Sequence, residues 1–79
     1  MFKISMLDIK TATTIFQKLV SQVVLPGDDG ELTILDFHQP IISCLKGGAI
    51  KIDNIAPMDI KGGIASMQDN ELIVLVEKK

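Results

Sequence analysis

Val23-Val24-Leu25-Pro26-Gly27-Asp28-Asp29-Gly30-Glu31-Leu32-Thr33-Ile34-Leu35 is the stretch that decides the fold. An apolar run meets a Pro-Gly-Asp-Asp-Gly cluster. A second run follows, in which Leu32 and Ile34 alternate with Glu31 and Thr33. Strict alternation puts every other side chain on one face of a strand. Glycine accepts the positive φ that tight turns require. The stretch therefore predicts two strands joined by a turn, with Pro26, Gly27 and Gly30 as its structural residues.

The same pattern repeats outward in both directions. Phe2, Ile4 and Met6 alternate with Lys3 and Ser5, Ile50 and Ile52 with Lys51 and Asp53, and Met58 and Ile60 with Asp59 and Lys61. Lys46-Gly47-Gly48, Lys61-Gly62-Gly63 and Gln68-Asp69-Asn70 carry turn chemistry between these runs. Thr11 to Val20, the best helical candidate, has no sustained polar face and reads as a turn followed by a strand. Twelve Ile, five Val and four Thr give the β-branched content that suits pleated surfaces. No spacer is long enough for the helices of βαβ units. The expectation is an all-β fold: one domain over residues 1–79, an antiparallel β-sandwich or barrel of short strands. Val23-Val24-Leu25 and Leu72-Ile73-Val74-Leu75-Val76 are apolar on both faces, so the second face is either covered within the fold or presented to a partner.

Composition removes several functional classes. With 79 residues, the chain has room for one small core. An apolar fraction of 47% and a mean hydropathy of +0.35 exclude a charge-rich disordered tail. A net charge of −2, with eight Lys and no Arg, gives no footprint for nucleic acid. Three Phe without Tyr or Trp supply no base-stacking platform. No apolar run approaches a membrane span, so no direct membrane insertion is expected. A lone Cys forms no internal disulfide, and Cys44 reads as a small buried apolar residue.

Catalytic constellations are equally hard to assemble. His38 is the only His, and His38 with Cys44 lacks further ligands for a metal site and a third group for nucleophilic catalysis. Asp28, Asp29 and Glu31 lack the alternating register of a calcium loop and read as a solvated turn. The paired glycines match neither a phosphate loop nor a dinucleotide fingerprint. The chain is expected to be no enzyme and to hold no cofactor or metal.

The segment from Val23 to Gly48 resembles the signature of the epsilon subunit of F-type ATP synthases, called delta in mitochondria. That family's pattern is Leu-Pro-Gly-x-x-Gly-Glu-Leu-Gly-Ile-Leu-Pro-Gly-His-Ala-Pro-Leu-Leu, then Leu-Lys-Pro-Gly. Pro26, Gly27, Gly30, Glu31, Leu32, Ile34, His38, Pro40, Leu45, Lys46 and Gly48 match it at unbroken spacing. Gly62-Gly63-Ile64 and Asn70-Glu71-Leu72-Ile73-Val74-Leu75 are similar to its later strands. Thr33 stands in place of Gly, Asp36-Phe37 in place of Pro-Gly, Gln39 in place of Ala and Gly47 in place of Pro. The stretch between Asn54 and Met58 looks shortened.

The resemblance implies an antiparallel β-sandwich of about ten short strands in the central stalk, partnered by the gamma subunit and the c-ring, at the cytoplasmic face of a bacterial inner membrane. It implies that Glu31 and His38 face the c-ring loops, and that Ile41, Ile42 and Ser43 face gamma. It implies a mechanical role: joining gamma to the ring so that proton flow and ATP synthesis stay coupled. Family members usually continue into two C-terminal helices that regulate ATP hydrolysis and in some bacteria bind ATP. The chain stops at Lys79, so on this reading those inhibitory helices are missing and no ATP site is expected. The residues taken without the resemblance leave open a free-standing sandwich adaptor that binds a peptide or a sheet edge.

Overall fold

A computed structural model describes the whole chain, Met1–Lys79. It has eight strands and no helix: β1 (Phe2–Asp8), β2 (Thr14–Val20), β3 (Gln22–Gly27), β4 (Gly30–Leu35), β5 (Ile41–Leu45), β6 (Gly48–Ile52), β7 (Ile55–Gln68) and β8 (Glu71–Lys78). The turn-then-strand reading of Thr11 to Val20 holds, with β2 following a turn.

Strand β7 organises the molecule. Its C-terminal half pairs with β8 and β5, and its N-terminal half pairs with β6. β6 in turn pairs with β3, and β3 with β4. Two layers result, β2-β1-β8-β7-β5 and β4-β3-β6-β7, with β7 passing from one to the other. The passage falls at Lys61-Gly62, where the β7–β8 register shifts between Ile60 and Gly62. Sequence reading expected a chain-reversing turn here, and the resemblance implied about ten strands. The structure corrects both: the two runs flanking Gly62 and Gly63 are one bent strand. A bulge bends a strand and changes its layer without reversing it.

Gly63 permits this crossing. A Cβ on Gly63 would collide with the carbonyl oxygen of Leu75 and lie 3.2 Å from Val76 Cα. Only a residue without a side chain lets β7 and β8 approach this closely.

The pairing is not purely antiparallel, as had been expected. β1 and β8 run parallel, Lys3 opposite Glu71 through Asp8 opposite Val76. Parallel neighbours need a crossover connection. Here the crossover is the remainder of the chain, which no local pattern reports.

The core lies between the layers. Phe2, Ile4 and Met6 of β1, Leu72, Val74 and Val76 of β8, Val23 and Leu25 of β3, and Ile34, Ile50, Ile52 and Ile60 are all buried. Phe2, Ile4, Met6, Ile34, Ile50, Ile52 and Ile60 are positions that alternation picked out, and its Leu32 and Met58 are half-buried against the core. The supposed two-faced strands also alternate: Ile73 is exposed and Leu75 half-buried, and Val24 is half-buried beside Thr33 and Lys51. Cys44 departs from its expected burial, because it shares the outward parity of Ile42 and is exposed.

Tight turns fix the ends of the sandwich. Asp69 and Asn70 join β7 to β8 with φ of 53° and 58°, the left-handed pair typical of two-residue hairpins. Asp53 and Asn54 join β6 to β7 as closely, which accounts for the shortened look of that stretch. No helix of the chain is long and apolar enough to cross a membrane.

Candidate functional site

The hairpin of β3 and β4 places Glu31. Gly27 pairs with Gly30 across the two-residue turn Asp28-Asp29. Gly30 has φ of 126°, accessible without strain only to glycine. A Cβ on Gly27 would lie 2.8 Å from the Gly30 carbonyl oxygen, so both glycines are required for a turn this narrow. Two backbone bonds tie the turn to the end of β5: Asp28 N donates to Cys44 O at 3.1 Å, and Lys46 N donates to Pro26 O at 2.9 Å. Pro26 pairs with Glu31 and needs no N–H of its own for the Lys46 bond. Glu31 is exposed, and Lys51 Nζ lies 3.6 Å from its carboxylate. A pair this solvated adds little stability.

His38 follows the other end of β4. Its ring Nδ1 lies 2.9 Å from Gln39 O, and its backbone N donates to Leu35 O at 3.2 Å. Glu31 and His38 thus flank one edge strand and do not touch. β4 rises about 3.4 Å per residue, which separates Glu31 from Leu35 by roughly 14 Å. A surface that engages both must extend along the strand.

Ile41, Ile42 and Ser43 begin β5. Regular alternation separates them: Ile41 packs against the core, Ser43 is half-buried opposite Ala65, and Ile42 is 78% exposed. Ile42 stands in a row across the outer face of its layer, opposite Ser66, then Ile73, then Ser5. The next row is Cys44, Ile64, Leu75 and Leu7. Ile64 and Ile73 are each 41% exposed. The outer face of the other layer carries Glu31, Thr33, Lys51 and Asp59, with Leu35 exposed at the end of β4. The face that bears Ile42, Ile64 and Ile73 is the more apolar of the two.

An open groove of about 520 Å³ lies where the β3–β4 turn meets β5, lined by Gly27, Gly30, Glu31, Ile41, Ile42 and Ser43 among others. It joins Glu31 to the Ile42 segment, while His38 and Pro26 lie outside it. No three His, Cys, Asp or Glu side chains are placed to hold a metal ion.

Two features escaped sequence reading. Asp53 accepts bonds from Ser21 N at 3.0 Å, Ser21 Oγ at 3.0 Å and Gln22 N at 2.8 Å. The Ser21 backbone bond, foremost, holds its carboxyl below the ordinary value, against a smaller opposing effect of burial. Asn70 joins the N-terminus to the loop after β4: its Oδ1 accepts from Phe37 N at 2.8 Å and its Nδ2 donates to Met1 O at 3.1 Å. The only sequence signal for either was an Asp or Asn in a short turn, which does not name its distant partner.

Comparison with known proteins follows from this architecture. Residues 3–79 match the family described as ATP synthase, Delta/Epsilon chain, beta-sandwich domain. The mitochondrial ATP synthase subunit delta of Schizosaccharomyces pombe is 44% identical over 69 residues, covering 80% of this chain and 41% of that protein. The ATP synthase epsilon chain of Desulforamulus reducens is 32% identical over 81 residues, covering 98% of this chain and 61% of that protein. The chain thus spans less than two thirds of the length of these relatives. A chain of the Tetrahymena thermophila mitochondrial ATP synthase central stalk/c-ring structure superposes with a TM-score of 0.80 at 15% identity, covering 96% of this chain and 63% of that one. A chain of the Euglena gracilis mitochondrial ATP synthase gives a TM-score of 0.75 at 18% identity, covering 96% and 51%. Those two likenesses are likenesses of fold. The match over residues 3–79 carries the assignment: this chain belongs to the family of ATP synthase delta and epsilon chain β-sandwich domains.

Proposed function

We propose that the chain serves as a central-stalk domain of an F-type ATP synthase, a non-catalytic part that links the gamma subunit to the c-ring. The observation that carries this reading is the apolar outer face around Ile42, Ile64 and Ile73, set beside the edge strand that bears Glu31 and His38. A solitary sandwich leaves such a face to water at a cost in solubility, and a stalk partner covers it. Gamma covers the Ile42 face, and the c-ring loops meet the β4 edge. A carboxylate and an imidazole at that edge bond polar backbone and side-chain groups on the ring. The domain sits peripherally on the membrane, at the cytoplasmic face of a bacterial inner membrane when the host is bacterial.

Glu31→Ala combined with His38→Ala is expected to leave the fold intact, since neither side chain enters the core, and to weaken assembly on the ring. Co-sedimentation with gamma–c-ring complexes measures this. Retention of the double variant at the wild-type level overturns the ring-facing assignment.

A further inference from the structure

Open sheet edges run along β2, β4, β5 and the N-terminal half of β7. A charged side chain on an edge strand discourages pairing with a foreign strand. β2 carries Lys18, β4 carries Glu31 and β7 carries Asp59. β5 carries no charge, no proline and no bulge, so its edge is the unguarded one. Asp28 N reaches Cys44 O from the side of β5 away from β7. On a strand, the N–H and C=O of one residue point the same way as those of the residue two positions on. The N–H of Cys44 and both the N–H and the C=O of Ile42 therefore also point away from β7. Beyond β7, the ladder pairs β5 only at Leu45, with Gly27, after which β3 turns off into Asp28-Asp29. Three backbone groups of β5 are thus left facing the groove beside the hairpin tip.

That tip gives the groove its charge. Asp28, Asp29 and Glu31 line it, and no Lys does. Lys51 offsets part of the Glu31 charge from outside the groove. Asp28 and Asp29 take part in no ion pair within the chain. An open strand edge and a run of carboxylates therefore share one cleft, with Leu32 and Ile41 as its apolar lining.

We infer that this groove binds an extended cationic peptide segment, which adds a strand to β5 at Ile42 and Cys44 and sets Lys or Arg side chains against Asp28 and Asp29. Main-chain bonds supply affinity in such strand addition, and the charges select the sequence. A second copy of the chain is the poorer occupant. Pairing β5 with β5 across a two-fold axis brings each acidic tip toward its own counterpart, like charge toward like. A cationic segment neutralises the tip instead. The groove takes such a segment whether or not the sandwich belongs to a stalk.

The test uses the full chain and a fluorescent, end-capped peptide of alternating Val and Lys. Its counterpart with Glu in place of Lys keeps the backbone and reverses the charge. Fluorescence anisotropy at low salt is expected to show the Lys peptide binding at least about tenfold more tightly than the Glu peptide, and less tightly as salt rises. Asp28→Asn combined with Asp29→Asn is expected to weaken the Lys peptide about fivefold. Ile42→Pro removes an edge N–H that the β7 ladder does not use, and is expected to weaken it about tenfold or more. Hydrogen exchange of the wild-type chain reads the same edge without a substitution: the bound Lys peptide is expected to slow the Ile42 and Cys44 amides about tenfold or more. Equal binding of the two peptides, or unchanged exchange at both amides with the Lys peptide bound, overturns the inference. Self-association of the wild-type chain that protects those two amides without any peptide assigns the edge to a second copy and overturns it as well.

Discussion

Gly63→Ala tests the account of how one strand serves two layers. Gly63 lies just past the bend in β7, opposite Val76 on β8 and Leu45 on β5. An added Cβ meets Leu75 O, Leu75 C and Val76 Cα, all of them backbone. No side chain can swing away, so β7 and β8 must part locally. Forced overpacking of this kind costs about 1–3 kcal/mol, and yielding by backbone places this case near the upper value. For a domain this size each kcal/mol moves the melting temperature by about 4–8 °C, so a cost near 3 kcal/mol lowers it by roughly 12–24 °C. Gly62→Ala is the control: its Cβ meets only Leu45 O, at 3.3 Å, and its cost stays below about 1 kcal/mol.

The sign makes the comparison sharp. Elsewhere in a strand, Gly→Ala stabilises by about 0.5–1 kcal/mol. Urea denaturation with linear extrapolation, together with melting followed by circular dichroism, reads both variants. A Gly63→Ala chain within about 0.5 kcal/mol of wild type refutes the close approach of β7 and β8, and with it the explanation of the corner.

Asp53 should make stability pH-dependent. Its folded carboxyl is held below the ordinary value of 3.8 by bonds from Ser21 and Gln22. The stabilisation is therefore complete above that value and lost as pH falls through the lower folded one. Wild type should exceed Asp53→Asn in melting temperature at neutral pH, with the gap closing below about pH 4; a gap independent of pH contradicts the role of the charge. On the side proposed to face gamma, Ile42→Asp should change stability by less than about 0.5 kcal/mol yet abolish capture by gamma in a pull-down. Exposed Cys44, in the neighbouring row, should react with thiol reagents in the native protein and be shielded by gamma. Equal labelling with and without gamma counts against that face.

Much of the fold was legible because burial follows parity. Phe2, Ile4, Met6, Ile34, Ile50 and Ile52 all lie where alternation puts them. The misreadings came from cues that are ambiguous by nature. Gly62-Gly63 marks a departure from regular strand, and both a reversal and a bulge require one. Cys44 was taken by residue type as buried. Its spacing of two from Ile42 places it outward once Ile42 is known to be outward, but two adjacent isoleucines conceal which of them sets the parity. The parallel pairing of β1 with β8 joins residues 68 positions apart, and the bonds of Asn70 with Phe37 and Met1 join residues 33 and 69 positions apart. No local pattern encodes them. Of the candidate site, the turn residues were readable from backbone needs alone, whereas the roles of Glu31, His38 and Ile42 rested on resemblance.

The proposed linkage makes a mechanical demand that the β3–β4 turn meets. A part that passes force between two partners must not yield between its two contact surfaces. Glu31 belongs to the edge strand and Ile42 to the outer face of the other layer, and side-chain contact between them would be too soft a link. The connection is instead backbone. Gly27 pairs with Leu45, Asp28 N bonds Cys44 O and Lys46 N bonds Pro26 O. These bonds clamp the hairpin tip to the end of β5 within the groove that both surfaces border. Gly27 and Gly30 are needed because a wider turn would lift the tip from β5 and break the clamp. At the opposite end of β4 the restraint is of another kind: the Asn70 side chain accepts from Phe37 N and the N-terminal ammonium bonds the Asp36 carboxylate. Both ends of the proposed ring-facing edge are thereby tied to the layer that bears the proposed gamma-facing row. Rigidity at these two points, more than the chemistry of any one side chain, suits this sandwich to a coupling role.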